Sequence, residues 1–181
     1  MPDTDREHLM PPTTVTIRPG RFDDVSEEAA LHADVDWCYD ERQTLAEYHD
    51  DAYEPSSVLI AEIDGVIVGK MELFHAWKST YGRFALIRRF VVRDGYRGQG
   101  VGRQLLEAAT AQAQEAGCAF LELTVDVTNP QAHAFYAAEG FIADRVEVIM
   151  RRPLEPATAE SVASTFDAQR DGFDVAPPER S

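Results

Sequence analysis

The spacing of apolar residues changes several times along this chain, and each change predicts an element. Val15-Thr16-Ile17-Arg18-Pro19 alternates apolar and polar, as a short strand does. A helix is predicted from about Val25 to Tyr39, with Asp23 and Asp24 in place to cap it. From Ser57 to Phe74 an apolar, β-branched run is broken only at Asp64-Gly65, the pattern of a hairpin; His75 to Gly82 then reads as the loop into a central strand ending at Val92. Beyond the four glycines between Gly95 and Gly102, residues Val101, Leu105, Leu106, Ala109 and Ala113 share one face of a helix that stops at Gly117. Phe120 to Val125 reads as a strand, Asn129-Pro130 opens a helix that Gly140 closes, and Arg145 to Arg151 reads as a closing strand.

The two ends differ from this middle. Residues 1–14 are polar and carry a Pro11-Pro12 pair, which predicts a flexible arm. From Pro153 the chain is acidic and rich in alanine and proline, with a weak amphipathic helix predicted over Thr158 to Arg170 and the tail otherwise disordered or covering a partner subunit. The folded part is therefore expected over 15–152, with tails at 1–14 and 153–181. Cys38 and Cys118 are far apart and not in C-x-x-C form, so free thiols in a reducing cytoplasm and no metal site are expected. No apolar run approaches the ~20 residues that span a bilayer, and residues 1–12 lack the apolar core of a signal peptide.

Charge changes the picture of partners. The formal net charge is −15, and Lys70 and Lys78 are the only lysines. A chain this acidic is a poor general partner for nucleic acid, which needs a basic face. Two readings of the acidity remain: a salt-rich cytoplasm, where an acidic surface keeps a protein soluble, or an acidic funnel for a cationic substrate. Its spread over the whole chain favours the first.

The chemistry concentrates where the central strand runs through the glycine loop into the helix. A helix leaves its first N–H groups without intrahelical partners and carries partial positive charge there. Alternating Gly98, Gly100 and Gly102 let a ligand approach and tolerate positive φ, while Arg97 and Arg103 flank the loop with charge. A P-loop is excluded, because no Gly-Lys-Ser or Gly-Lys-Thr occurs. For the dinucleotide fingerprint the third glycine comes one residue early, and Glu122, about twenty residues on, falls mid-strand rather than at a strand end. Arg97-Gly98-Gln99-Gly100-Val101-Gly102 instead fits R/Q-x-x-G-x-G/A at every position.

That motif resembles the cofactor loop of the GNAT superfamily of acetyl-CoA-dependent N-acetyltransferases. Asn129-Pro130-Gln131-Ala132-His133-Ala134-Phe135-Tyr136, ending at Gly140-Phe141, is similar to the family's second block and stands at the usual distance after the first. The resemblance covers about Val15 to Arg152. It implies a mixed α/β fold with a twisted, mainly antiparallel sheet of six to seven strands, splayed at its centre and flanked by helices. It also implies that acetyl-CoA is held by Arg97, Gly98, Gln99, Gly100, Val101, Gly102 and Arg103 at the diphosphate. Phe90, Val91, Val92 and Asn129 would lie along the pantetheine arm, with Tyr136 at the leaving sulfur as general acid.

The implied reaction is direct acetyl transfer to a primary amine, on a small molecule or a protein; a homodimer is compatible with the fold. The base is the open question. Some relatives carry a glutamate on the central strand where this chain has Arg88-Arg89, so Glu72 or Glu122 acting through a water is the candidate. Asp36, Asp40 and Glu41 beside Trp37 and Tyr39 suit an ammonium group, or form a solvated face with the aromatics packed inward. His75 reads as a surface or structural residue rather than a base. A non-catalytic acyl-CoA-binding sensor or assembly module is the alternative from another class; it would keep the glycine loop without needing Tyr136. A nucleotide-binding oxidoreductase is a distant third.

Overall fold

A computed structural model of the chain describes residues 14–35, 41–49, 58–148 and 150. The elements are β1 (Thr16–Pro19), a 3-10 turn (Phe22–Asp24), α1 (Val25–Ala33), α2 (Glu41–Tyr48), β2 (Val58–Ile63), β3 (Val66–Lys78) and β4 (Gly82–Val92); a second 3-10 turn (Asp94–Tyr96), α3 (Val101–Glu115), β5 (Leu121–Glu122) and α4 (Pro130–Ala138) follow. The chain divides into two compact units, residues 1–124 and 125–181.

The first unit is built on one sheet in the order β1-β2-β3-β4-β5. The first four strands pair antiparallel with their sequence neighbours, and β5 runs parallel to β4. The predicted Asp64-Gly65 hairpin is present, both residues taking positive φ (51° and 79°) as a tight primed turn requires. Helices cover both faces of β3. A Cβ at Gly69 would lie 3.1 Å from Leu105 Cδ1 and 3.2 Å from Val101 Cγ1, so α3 sits directly over that residue and glycine permits the approach. The next residue, Lys70, faces the other way and reaches Glu28 of α1. With both faces covered, β3 is buried without alternation from Ile67 to Leu73. Leu31 of α1 closes a cluster with Val58, Ile60, Ile67 and Val91.

Several predicted boundaries are corrected. The first helix ends at Ala33, and its predicted continuation over 36–39 lies outside the described residues. Asp24 does not cap that helix with its side chain; its carboxylate takes both ends of the Arg18 guanidinium, at 2.7 and 2.8 Å. The predicted loop from His75 is strand as far as Lys78, because His75 and Trp77 pair with Ala85 and Arg83. The strand expected over Phe120 to Val125 is reduced to Leu121–Glu122. The closing strand expected over Arg145 to Arg151 is absent at 145–148, so the described sheet has five strands rather than six or seven. Val146 and Val148 stand 77% and 71% exposed there; alternation supplies a strand only where a neighbouring edge completes its ladder.

Both main helix ends follow from glycine. After α3, the Gly117 amide donates to Gln114 O and the Cys118 amide to Ala113 O, with Gly117 at φ 70°; this is a Schellman stop. Arg83 of β4 donates to Ala116 O at 2.7 Å, placing a cation at the negative end of α3. In the second unit, Gly140 (φ 86°) donates to Ala137 O and Phe141 to Tyr136 O, the same stop. No helix of the described residues is long and apolar enough to cross a membrane.

Beneath α1 lies a buried ionic cluster. Lys70 Nζ donates to Glu28 Oε2 at 2.5 Å and lies 3.1 Å from Glu72 Oε1, which also accepts from Arg89 Nη1 at 3.0 Å. His32, one turn after Glu28, is 1% exposed, and burial, then the charges of Lys70 and Arg89, push its imidazole down to about 4. The unfolded imidazole titrates near ~6.5, so between those values the unfolded chain binds a proton that the folded chain refuses. This contribution is full above about pH 6.5 and falls as the pH drops towards 4, by roughly 3 kcal/mol. His32→Leu, which cannot take the proton, should therefore lose less stability than the parent between pH 7.5 and pH 4.5 in urea titrations; equal losses would place the imidazole in water.

Candidate acetyl-CoA and catalytic site

β4 carries the predicted strand residues and leads into the glycine loop. Its ladder with β3 is irregular: Lys70 faces Val91 and Glu72 faces Arg88, so Arg89 and Phe90 stand opposite Met71 alone. Arg89 takes φ 45°, one of two non-glycine residues with positive φ among the described residues. Such a bulge breaks the pairing and turns successive side chains towards one face. On its other edge β4 pairs with β5 only through Ala85–Leu121 and Leu86–Glu122. The described ladder ends at Leu86, so Ile87 to Val92 run on past β5. This is the predicted splay, and among the described residues it leaves Phe90, Val91 and Val92 beyond the last β4–β5 rung.

The loop after β4 is tied back by one backbone bond and by its own side chains. Arg93 N donates to Val68 O at 2.9 Å, and Gln99 Nε2 donates to Gly95 O at 2.8 Å. Arg97 Nε donates to Val92 O at 3.0 Å while its Nη1 meets Asp94 Oδ1 at 2.8 Å, so this arginine shapes the loop itself. Gly98 and Gly100 adopt φ 75° and 83°, and no heavy atom lies within 4 Å of a Cβ built on either. Their need for glycine is conformational; the space above them is open. Gly100 is the N-cap of α3, and the first intrahelical bond is Gln104 N to Gly100 O at 3.1 Å. The amides of Val101, Gly102 and Arg103 precede it and have no intrahelical acceptor. A loop with open space at two glycines, leading into the first amides of a helix, is a layout that fits a diphosphate.

The two candidate bases fall on one face of the sheet, flanking β4. Glu72 on β3 is 5% exposed and committed to Lys70 and Arg89 through Oε1. Glu122 on β5 occupies the last rung before the strands part; its Oε2 accepts from Lys78 Nζ at 2.7 Å, and its side chain is 32% exposed. Lys78 also lies 4.8 Å from the centre of the Phe84 ring, which stacks on Phe120 at 5.6 Å.

The second unit carries the other predicted residues. Asn129 Oδ1 accepts from Ala132 N at 3.0 Å, capping α4 and leaving its amide NH2 as a donor. The Tyr136 ring meets Phe141 edge-on at 5.5 Å, the apolar contact of the Schellman stop, so this tyrosine also has a structural role. Burial pushes its phenol up to about 12, so it stays protonated throughout the neutral range. Of the predicted acceptor residues, Asp36, Trp37, Tyr39 and Asp40 lie outside the described residues; Glu41 begins α2.

Residues 25–141 match the model of the acetyltransferase (GNAT) family. The chain belongs to that family. Its members use acetyl-CoA. An uncharacterized N-acetyltransferase of Archaeoglobus fulgidus is 35% identical over 88 residues, 48% of this chain and 60% of that protein. The aminoglycoside N(6′)-acetyltransferase type 1 of Stenotrophomonas maltophilia is 42% identical over 107 residues, 57% of this chain and 70% of that protein. Among solved structures, an aminoglycoside N-acetyltransferase in complex with CoA superposes with a TM-score of 0.67 over 77% of this chain and 95% of its own, at 17% identity, a likeness of fold.

The GNAT motifs located the loop and α4 but not the Glu28–Lys70–Glu72–Arg89 cluster. Its signals were a lysine and a glutamate inside an otherwise apolar strand, and Glu28 and His32 spaced by four in a helix.

Proposed function

We propose that this protein transfers the acetyl group of acetyl-CoA directly to a primary amine. The observation that carries the proposal is the glycine loop at the N-terminus of α3, at the foot of a strand that parts from its neighbour. When bound, acetyl-CoA supplies an acyl carbonyl joined to a thiol leaving group. The amides at the start of α3 hold its diphosphate, and the edge of β4 aligns the arm. Tyr136, protonated at neutral pH, donates a proton to the departing sulfur.

Between the two candidate bases, the geometry favours Glu122. It stands at the mouth of the splay with one cationic partner and an oxygen to spare, where a water can relay the ammonium proton. Glu72 is more deeply buried and already holds two cations. Cys118 sits in the Schellman stop of α3, a structural position. Relatives are named for acceptors of opposite character, aminoglycosides and aminoalkylphosphonates, which have a primary amine in common.

Calorimetric titration with acetyl-CoA, in dilute and in molar potassium chloride, tests the reading. Micromolar binding is expected, strengthened in high salt if the acidic surface reflects a salt-rich host. Gly100→Val forces a β-branched residue to φ 83° and should weaken binding about tenfold or more. No binding by the folded parent overturns the proposal; binding without turnover of any amine turns it into the sensor reading.

A further inference from the structure

The bulge of β4 has an effect on local charge. It brings Arg88 and Arg89, neighbours in sequence, to the same face of the sheet: Arg88 lies over the Phe74 ring at 5.8 Å, while Arg89 binds Glu72, the residue paired with Arg88 across the ladder. Arg89 is thereby engaged. Among the described residues no carboxylate pairs with Arg88, although the chain has 32 acidic residues against 17 basic ones. The phenyl face holds the guanidinium without neutralising it.

Among the described residues of this cluster cations outnumber carboxylates, in a protein of net charge −15. Lys70, Lys78, Arg88 and Arg89 stand against Glu28, Glu72 and Glu122, and every one of those carboxylates already has a cation. The guanidinium of Arg88 is the charge left over. It is too far along β4 to serve the diphosphate loop: five residues of strand to Arg93 span about 17 Å. It is close to Glu122, whose rung partner Leu86 is two residues earlier on the same face, a diagonal of roughly 7–8 Å between strands.

We propose that Arg88 is a specificity residue that binds an oxyanion on the acceptor, so that the substrate is a short primary amine carrying a carboxylate, phosphonate or phosphate rather than a polycationic amine. This rests on the acetyltransferase reading above and gives it a substrate class. The amino group is presented towards Glu122 and the oxyanion towards Arg88, a separation that a few methylene groups bridge. A planar guanidinium suits such oxyanions because two of its N–H groups can donate in parallel.

The test is steady-state kinetics with β-alanine and 2-aminoethylphosphonate against n-propylamine and sisomicin, alongside acetyl-CoA titration. The anion-bearing amines should exceed propylamine in kcat/KM by about 10–100-fold, the discrimination of a charge-assisted hydrogen-bonded pair. Arg88→Gln should abolish that advantage through KM while leaving propylamine turnover and acetyl-CoA affinity unchanged, and Arg88→Lys should restore part of it. Equal losses for every amine in Arg88→Gln would make the residue structural and overturn the proposal. So would preference for sisomicin or propylamine, or failure to turn over any anion-bearing amine by a protein that binds acetyl-CoA. Those outcomes leave the acetyltransferase reading standing whenever another amine is acetylated; that reading fails separately, on absence of acetyl-CoA binding.

Discussion

Lys70→Met is expected to destabilise the folded protein by about 3–5 kcal/mol, the cost of breaking a buried ion pair from one side. The Lys70 and Glu28 side chains are 1% and 0% exposed, so water cannot replace the lost ammonium. Glu72, 6% exposed at its side chain, keeps Arg89 but loses its second cation. In a domain of this size each kcal/mol shifts the melting temperature by roughly 2–4 °C, so a fall of at least 6–10 °C should appear in thermal melts. Lys70→Met with Glu28→Gln removes both charges and should recover part of the loss, because a neutral pair is cheaper to bury than a lone carboxylate. A single-variant loss below about 1 kcal/mol would mean that water reaches the cluster.

The second large effect is on turnover. Tyr136→Phe should lower kcat by about 100-fold or more, within the range for loss of a positioned general acid. Acetyl-CoA affinity and melting temperature should scarcely change, since phenylalanine keeps the ring that packs on Phe141. With the phenol at about 12, the protonated form persists across the working range, so kcat should show no descending limb below pH 10 that belongs to this residue. The ascending limb reports proton removal from the acceptor, and Glu122→Gln should lower the plateau above it whereas Glu72→Gln acts mainly on stability. Unchanged turnover in Tyr136→Phe removes the acid assignment. It would leave the tyrosine as the apolar half of a helix stop.

What could be read before the fold was known depended on the range of each interaction. The Asp64-Gly65 turn, the stripe Val101, Leu105, Leu106, Ala109 and Ala113, the Asn129 cap and the two glycine stops each join residues a few positions apart, and all are present. Boundaries that depend on a partner were misread. His75 looked like a loop residue because the apolar, β-branched run ends at Phe74, yet the pairing with Ala85 keeps it in β3. Val146, Val148 and Met150 alternate as a strand would, and their alternation alone supplies no edge to pair with.

Within the candidate site the same division holds. Arg97 was legible as a loop residue, but whether its guanidinium faces outward or turns back to Val92 O is set by how β4 and the 3-10 turn pack. Glu72 and Glu122 were equal candidates as a base in the linear chain. In the fold their surroundings differ: Glu122 stands on the last rung of the β4–β5 ladder, and Glu72 holds two cations.

By itself, then, the sequence determined the local devices: the turns, the amphipathic face of α3, the helix caps, and a glycine loop able to present amides to a diphosphate. Only the tertiary structure decided which charges meet. Lys70 and Glu28 are 42 positions apart, and Lys78 and Glu122 are 44 apart. The bulge that turns Arg88 and Arg89 to one face exists only as a mismatch between two strands. Periodicity records which side of an element is buried, but an ion pair across a sheet depends on register, and register is a property of two strands at once.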